Sequence, residues 1–324
     1  MRVAIFGAGA IGGLVGAVLH RAGAEVSVVA RGAHLEAIRE NGLRIAIDAD
    51  NWIAPLPASD EPADLGPQDL VVVAVKAPSL PAVAASIAPL LDAETAVAFL
   101  MNGVPWWYFH GHGGPDEGRR LPLIDPRGAL WDAVGPRRVV GGVVRCAAVV
   151  EMPGRIRVTG TVRRILLGRP DNSSDARLKE CRDLLAAGGI EAAIAPNIRD
   201  AIWDKLVGNL MDGPLAMLTG ARSNILFADE GCSALARAIG YETIAIGRAM
   251  GRKNGVDMEA AIRSGRGRVH LPSVAQDLLR GRAMEIDALM SVPLAFAAER
   301  GICTPMLDAV VAMAKLRARA AGLY

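Results

Sequence analysis

Three stretches of this 324-residue chain place residue types at spacings that suit chemistry. The first, Gly7-Ala8-Gly9-Ala10-Ile11-Gly12, fits G-x-G-x-x-G. Gly7 permits a tight turn, Gly9 a close approach of a pyrophosphate to the backbone, and Gly12 close packing of a helix on a sheet. A helix opening at Ala10 and Ile11 would offer unpaired N–H groups and the positive end of its dipole to a phosphate. The second stretch is AIWDKLVGNLMDGPLAML, in which Lys205 and Asn209 stand four residues apart. On a helix they share one face, while Trp203, Leu206 and Leu210 bury the rest. A lysine on such a helix can shed part of its hydration and approach the working range of a general acid. The plainer reading is that Lys205 snorkels at a domain surface. The third is SVAQDLLRGRAMEIDALM, with Ser273, Arg282 and Glu285. Glu285 opens a helical run, where its charge suits the helix N-terminus. Alone, it reads first as a first-turn acid with no chemistry.

The surrounding elements must position these groups. Residues 2–6 read as a buried parallel strand, the helix pattern after the glycines runs through Leu19, and residues 25–30 form a second strand. This β-α-β unit turns a weak glycine motif into a dinucleotide fingerprint. An NAD-binding protein usually has an acid at the end of the second strand, to hold the ribose 2′-OH. Arg31 stands there instead. A guanidinium pairs with a 2′-phosphate that a carboxylate would repel, so the implied cofactor is NADP(H). Residues 31–41 predict a helix, residues 43–47 a short strand, and the proline-rich residues 51–67 a loop. DLVVVAV at residues 69–75 is the continuous β-branched run of a central strand covered on both faces. Lys76 ends it, and Asn102 in Met101-Asn102-Gly103 follows the strand at residues 96–100. Both lie at the carboxyl edge of the sheet, where open α/β sheets bind ligands.

Residues 105–138 break the alternation with WWYFHGHGGPDEGRRLPLIDP, a length that in compact domains tends to be functional or mobile. Its aromatics would either cover one side of a pocket or anchor the loop to the core. His110 and His112 lack a nearby third ligand, which favours a surface or packing role over a metal. Residues 139–150, 155–159 and 163–167 read as strands that extend the sheet in antiparallel fashion, and residues 175–187 as a helix before a last strand at 190–194. From Ile198 onward only helices are predicted, over residues 198–218, 232–254, 258–264, 273–279, 285–300 and 305–320. The predicted fold is therefore α/β. A Rossmann-type, mostly parallel sheet spans residues 1–195, and an all-helical substrate and catalytic domain spans residues 196–324, with the cleft between them as the default site.

A net charge of +2 gives no argument for nucleic acid or an acidic membrane surface. Hydrophobic residues, at 52%, suffice for a sizeable core. The four cysteines form no C-x-x-C, which argues against zinc or a disulfide framework and fits a reducing cytoplasm. The apolar run at residues 3–20 is broken by glycines and too short to span a bilayer as one helix. The apolar helices could bury a homodimer interface.

At this point the chain resembles the ketopantoate reductases (2-dehydropantoate 2-reductases), which are NADPH-dependent and join an N-terminal Rossmann domain to a helical C-terminal one. The resemblance covers nearly the whole chain. It rests on Gly7 to Gly13, on Arg31, on Lys76 after V-V-V-A-V, on Asn102 in M-N-G, on Lys205 and Asn209 in K-L-x-x-N, on Ser273, and on Glu285 in E-I-D. It implies hydride transfer to the carbonyl of a 2-oxo acid. Gly7, Gly9, Ala10, Ile11, Gly12, Arg31, Lys76 and Asn102 would serve the cofactor. Asn102, Lys205, Asn209, Ser273 and Glu285 would serve the substrate, with Lys205 and Glu285 catalytic and no metal involved. One departure concerns the substrate: the family usually reads K-L-x-x-N-x-x-x-N-P, and Gly213 replaces its second asparagine. This suggests a roomier pocket, closed by the Trp106–Trp107 loop, for a bulkier 2-oxo acid. Alternatives are a reductase of another 2-oxo acid, a β-hydroxyacid dehydrogenase-like enzyme, and a non-catalytic NADP-binding sensor. Retention of both Lys205 and Glu285 argues against the last.

Overall fold

The first strand, β1 (Arg2–Phe6), is buried from Val3 onward and runs through the glycine turn into α1 (Ala10–Arg21) and β2 (Glu25–Val29). β1 and β2 pair in parallel from Arg2↔Glu25 to Phe6↔Val29. The computed structural model describes residues 1–324. Next come α2 (Gly32–Asn41), β3 (Leu43–Ile47), β4 (Asp50–Ala54) and β5 (Ala58–Ser59). Residues 51–67 are thus not the uninterrupted loop that their composition suggests. Asn51-Trp52-Ile53-Ala54 pairs antiparallel with β3, because the prolines fall only after it.

β6 (Leu70–Val73), α3 (Leu80–Ser86) and β7 (Ala96–Leu100) continue the alternation. α4 (Ala129–Ala133) precedes two long strands, β8 (Val139–Met152) and β9 (Arg155–Gly168). The two strands expected at 155–159 and 163–167 are one. The polar Thr159-Gly160-Thr161 stretch stays extended because β8 pairs with β9 on either side of it, with register shifts at Cys146/Ala148 and Val150/Met152. α5 (Ala176–Ala187) and β10 (Glu191–Ile194) close this half.

The strand order is β4-β3-β9-β8-β7-β6-β1-β2-β5, with β10 beside β9. Only β3/β4 and β8/β9 are antiparallel, so β8 enters parallel to β7. β1 lies between β2 and β6, so the connection direction reverses there. The carboxyl end of β1 is a topological switch point, the place where such sheets bind ligands.

The aromatic stretch is an anchor. Trp106, Trp107, Tyr108 and Phe109 are at most 1% exposed. Trp106 meets Phe99 of β7 and Trp131 edge to face. Trp107 lies against Gly141 of β8, where a Cβ would stand 2.6 Å from its ring. Rings buried this way cannot close a substrate pocket, as the sequence had suggested for Trp106 and Trp107.

The remaining chain is helical: α6 (Ile198–Thr219), α7 (Ser223–Ala228), α8 (Glu230–Ala249), α9 (Met258–Gly267), α10 (Ser273–Leu279), α11 (Val292–Glu299) and α12 (Pro305–Ala320). A π turn, Asp287–Ser291, leads into α11. The short α7 has no amphipathic period and was not legible in the sequence. α6 is buried on most of its faces, as an interior helix should be. No helix is long and apolar enough to cross a membrane.

Two compact units result. The first holds Met1–Val75, Ser79–Met101 and Trp106–Ile198. The second holds Arg199–Tyr324 together with two short segments, Lys76–Pro78 and Asn102–Pro105. These segments follow the carboxyl ends of β6 and β7, so Lys76 and Asn102 belong structurally with the helices.

Candidate active site

In the first unit, Gly7 has φ +98°, and a Cβ there would stand 2.5 Å from the Val75 side chain. A Cβ on Gly12 would collide with the carbonyl oxygen of Gly7. Both positions therefore require glycine, the first for its turn and the second for helix-to-strand contact. Gly9, the N-cap residue of α1, has nothing within 4 Å of its Cβ position. The backbone is open there, above the first N–H groups of a 12-residue helix that has no acid in its first turn. This cradle fits a pyrophosphate. Arg31 is the N-cap residue of α2, exposed just beyond β2, and no carboxylate pairs with it.

In the second unit, Lys205 lies on α6, and its Nζ donates to Asn102 Oδ1 at 2.6 Å. Asn102 Nδ2 donates in turn to Glu285 Oε2 at 3.1 Å, and the Ala77 N–H donates to Glu285 Oε1 at 3.3 Å. One amide thus bridges the lysine and the acid. Glu285 is 6% exposed. Burial pushes its carboxyl above the usual range, against the opposing pull of Asn102, the Ala77 N–H, Lys76 and Lys205. Glu285 precedes the helical run instead of sitting within its first turn, and so serves Asn102 and Ala77.

Gly103 makes this arrangement possible. It has φ +80°, and a Cβ there would strike the backbone of Ala288 in the π turn. The next residue, Val104, donates its N–H to the Ala288 carbonyl at 2.8 Å. The Asn102 segment is therefore pinned to the turn that follows Glu285. π turns occur often at functional positions.

Lys76 pairs with Asp277 at 2.5 Å. Asp277 is 7% exposed and was missed in the sequence. Its one available signal was its place four residues after Ser273, on the same face of α10. Ser273 is exposed at the first residue of α10, and Asn209 stands half-buried one turn after Lys205. The Lys205–Asn102–Glu285 chain thus brings three of the sequence-selected residues together, while Ser273 and Asn209 stay outside its hydrogen bonds.

Gly213 does not open onto a roomier space. It is buried, and its Cβ position lies 3.1 Å from Val274 Cγ2. Its neighbour Asp212 is also buried, accepts a hydrogen bond from Ser223 Oγ at 2.7 Å, and lies 3.9 Å from Arg268. Asp212 is thereby committed to those partners. Burial also raises its carboxyl above the usual range.

The chain is similar to known proteins over its whole length. Residues 3–106 match the family profile described as ketopantoate reductase PanE/ApbA, and residues 197–318 match that of its C-terminal part. A 2-dehydropantoate 2-reductase from Mesorhizobium japonicum is 45% identical over 328 residues, covering 100% of both chains. A crystal structure of a candidate ketopantoate reductase from Ralstonia solanacearum superposes with a TM-score of 0.93 at 39% identity, covering 100% of this chain and 99% of that one. A PanE/ApbA family ketopantoate reductase from Ralstonia eutropha gives a TM-score of 0.84 at 29% identity, covering 99% and 100%. The glycine cradle falls within the first matched segment and the Lys205 helix within the second. The chain belongs to the ketopantoate reductase PanE/ApbA family.

Proposed function

We propose that this protein reduces the 2-oxo group of 2-dehydropantoate to the hydroxyl of pantoate, with NADPH as cofactor. The observation that carries the reading is the hydrogen-bonded chain from Lys205 through Asn102 to Glu285. When bound, NADPH supplies the hydride to the carbonyl carbon. Gly7, Gly9, Ala10, Ile11 and Gly12 would hold its pyrophosphate, Arg31 its 2′-phosphate, and Lys76 and Asn102 its nicotinamide side.

The chain's own residues manage charge and the proton. Lys205 Nζ donates to Asn102 Oδ1. Its ammonium would polarise the substrate carbonyl oxygen, stabilise the negative charge that develops there, and deliver a proton to it. Asn102 holds the ammonium in place, and Glu285 holds Asn102. Glu285 also keeps lone pairs for the nascent hydroxyl. Glu285 thus acts on Lys205 through the amide. Ser273 would bind the substrate carboxylate and Asn209 would orient the carbonyl. Asp277 keeps the Lys76 ammonium in place. We assign cofactor binding to residues 1–195 and substrate binding and catalysis mainly to residues 196–324, and place the enzyme in the cytoplasm, where its four free cysteines stay reduced.

One observation favours a second reading, reduction of a different 2-oxo acid: Gly213 has no side-chain donor and sits against the apolar Val274. The test is the fall in NADPH absorbance over a panel of 2-oxo acids. The first reading requires 2-dehydropantoate to give the highest kcat/KM, and any other 2-oxo acid in first place would establish the second.

A further inference from the structure

His34 lies on α2, three residues after Arg31. Its ring makes two hydrogen bonds to backbone. Nδ1 accepts the N–H of Gly154 at 3.0 Å. An amide N–H can only donate, so Nδ1 is bare and Nε2 carries the proton. Nε2 therefore donates to its own partner, the carbonyl of Ala8, at 2.7 Å.

Ala8 is the residue between Gly7 and Gly9. Its carbonyl belongs to the peptide plane whose other end is the Gly9 N–H, so fixing one fixes the direction of the other. The second partner is equally constrained. Gly154, with φ +73° in the turn between β8 and β9, packs so closely on α2 that a Cβ there would stand 2.9 Å from the Ala37 Cβ. One imidazole therefore joins the glycine loop, the helix that begins at Arg31, and the hairpin turn behind it.

We propose that His34 is a positioning residue for NADPH: in its Nε2-protonated form it orients the Ala8–Gly9 peptide of the pyrophosphate cradle against the helix that follows Arg31. The inference rests on the NADPH reading of this same cradle. His34 itself touches neither substrate nor reacting atoms.

The two bonds can be cut separately. In His34→Gln the amide nitrogen can replace Nε2 and keep the Ala8 bond. In His34→Asn the amide oxygen can replace Nδ1 and keep only the Gly154 bond. Fluorescence titration with NADPH and NADH, run below each variant's thermal transition, reads the result. His34→Ala should raise the Kd for NADPH about five- to tenfold, as for a lost hydrogen bond that positions a loop. It should raise the Kd for NADH by the same factor, because both dinucleotides use the pyrophosphate cradle. Arg31→Ala, in contrast, should weaken NADPH far more than NADH. His34→Gln should restore most of the affinity and His34→Asn little, with kcat at saturating NADPH within about twofold of wild type throughout. A His34→Ala protein with unchanged Kd overturns the inference. So does rescue by Asn equal to that by Gln, which would place the effect in the hairpin turn. A wild type that takes up no NADPH overturns the cofactor reading as well as this one.

Discussion

Lys205 is a cation on a helix buried on most sides, and its neighbour in space, Asn102, comes from more than a hundred residues earlier in the chain. Removing the ammonium should remove the proton donor and leave the nucleotide cradle intact. Lys205→Ala is expected to lose about a hundredfold or more in kcat, the scale of a missing general acid, with the NADPH Kd unchanged by titration. Glu285 gives a prediction in pH. Its pKa is raised in the fold, so the folded chain holds that proton more tightly than the unfolded one does. By linkage, the contribution of Glu285 to stability is greatest below the unfolded carboxyl range and is lost as pH rises through the folded value. Glu285→Gln should therefore melt at a higher temperature than wild type near pH 8, and the gap should close as pH falls towards about 4.3, the ordinary glutamate value. Calorimetry across that range, showing a gap independent of pH, would contradict this. The variant should also lose activity, because the neutral amide holds Asn102 less strongly. Asp277 shows where residue-level reading of the sequence ended. An acid in the middle of a short helix carries no mark of a lysine two hundred positions away.

At the level of elements, legibility followed chemistry at fixed spacing. The strand, glycine turn and helix at residues 2–21 could be read because Gly7 and Gly12 have steric duties and Gly9 leaves the backbone open. The strand β4 and the unbroken β9 could not, because their own residues are weakly patterned, with prolines directly after β4 and a polar Thr-Gly-Thr stretch inside β9, although each pairs with the strand just before it. The roomier pocket inferred at Gly213 failed for a related reason, since Val274 on α10 fills the place. Gly103 lies between these cases. It was visible in Met101-Asn102-Gly103, but its reason, the approach of the π turn, was not. Gly103→Ala has to leave the left-handed region or push Ala288 aside, at about 1–3 kcal/mol or more. Either shift carries Asn102 away from Glu285. We expect a lower Tm and at least a tenfold lower kcat, with NADPH affinity falling less than kcat, as separate melting, turnover and binding measurements would show.

At the scale of the whole molecule, the sequence shows strand patterns ending before Ile198, and one compact unit includes residues 199–324. It did not show that the helical unit also takes in Lys76–Pro78 and Asn102–Pro105. A chain of residues 199–324 alone would lack Ala77 and Asn102, the donors that satisfy the buried Glu285. An unsatisfied buried acid costs more than a neutral group's roughly 1–3 kcal/mol, a large part of a domain's net stability. Circular dichroism should therefore show no cooperative melt for this fragment, and Glu285→Leu within it should restore one in part.

The same division orders events during synthesis. Every residue of the first unit leaves the ribosome before Arg199 does. The glycine cradle, Arg31 and the whole sheet can thus be complete while Lys76 and Asn102 still wait for the helices they belong to. Glu285, which fixes Asn102, comes 208 residues after Ala77, which it also binds. A nascent chain arrested ahead of Glu285 would carry a finished glycine cradle without the acid that holds Asn102. Such a product would hold reducing equivalents that it cannot spend.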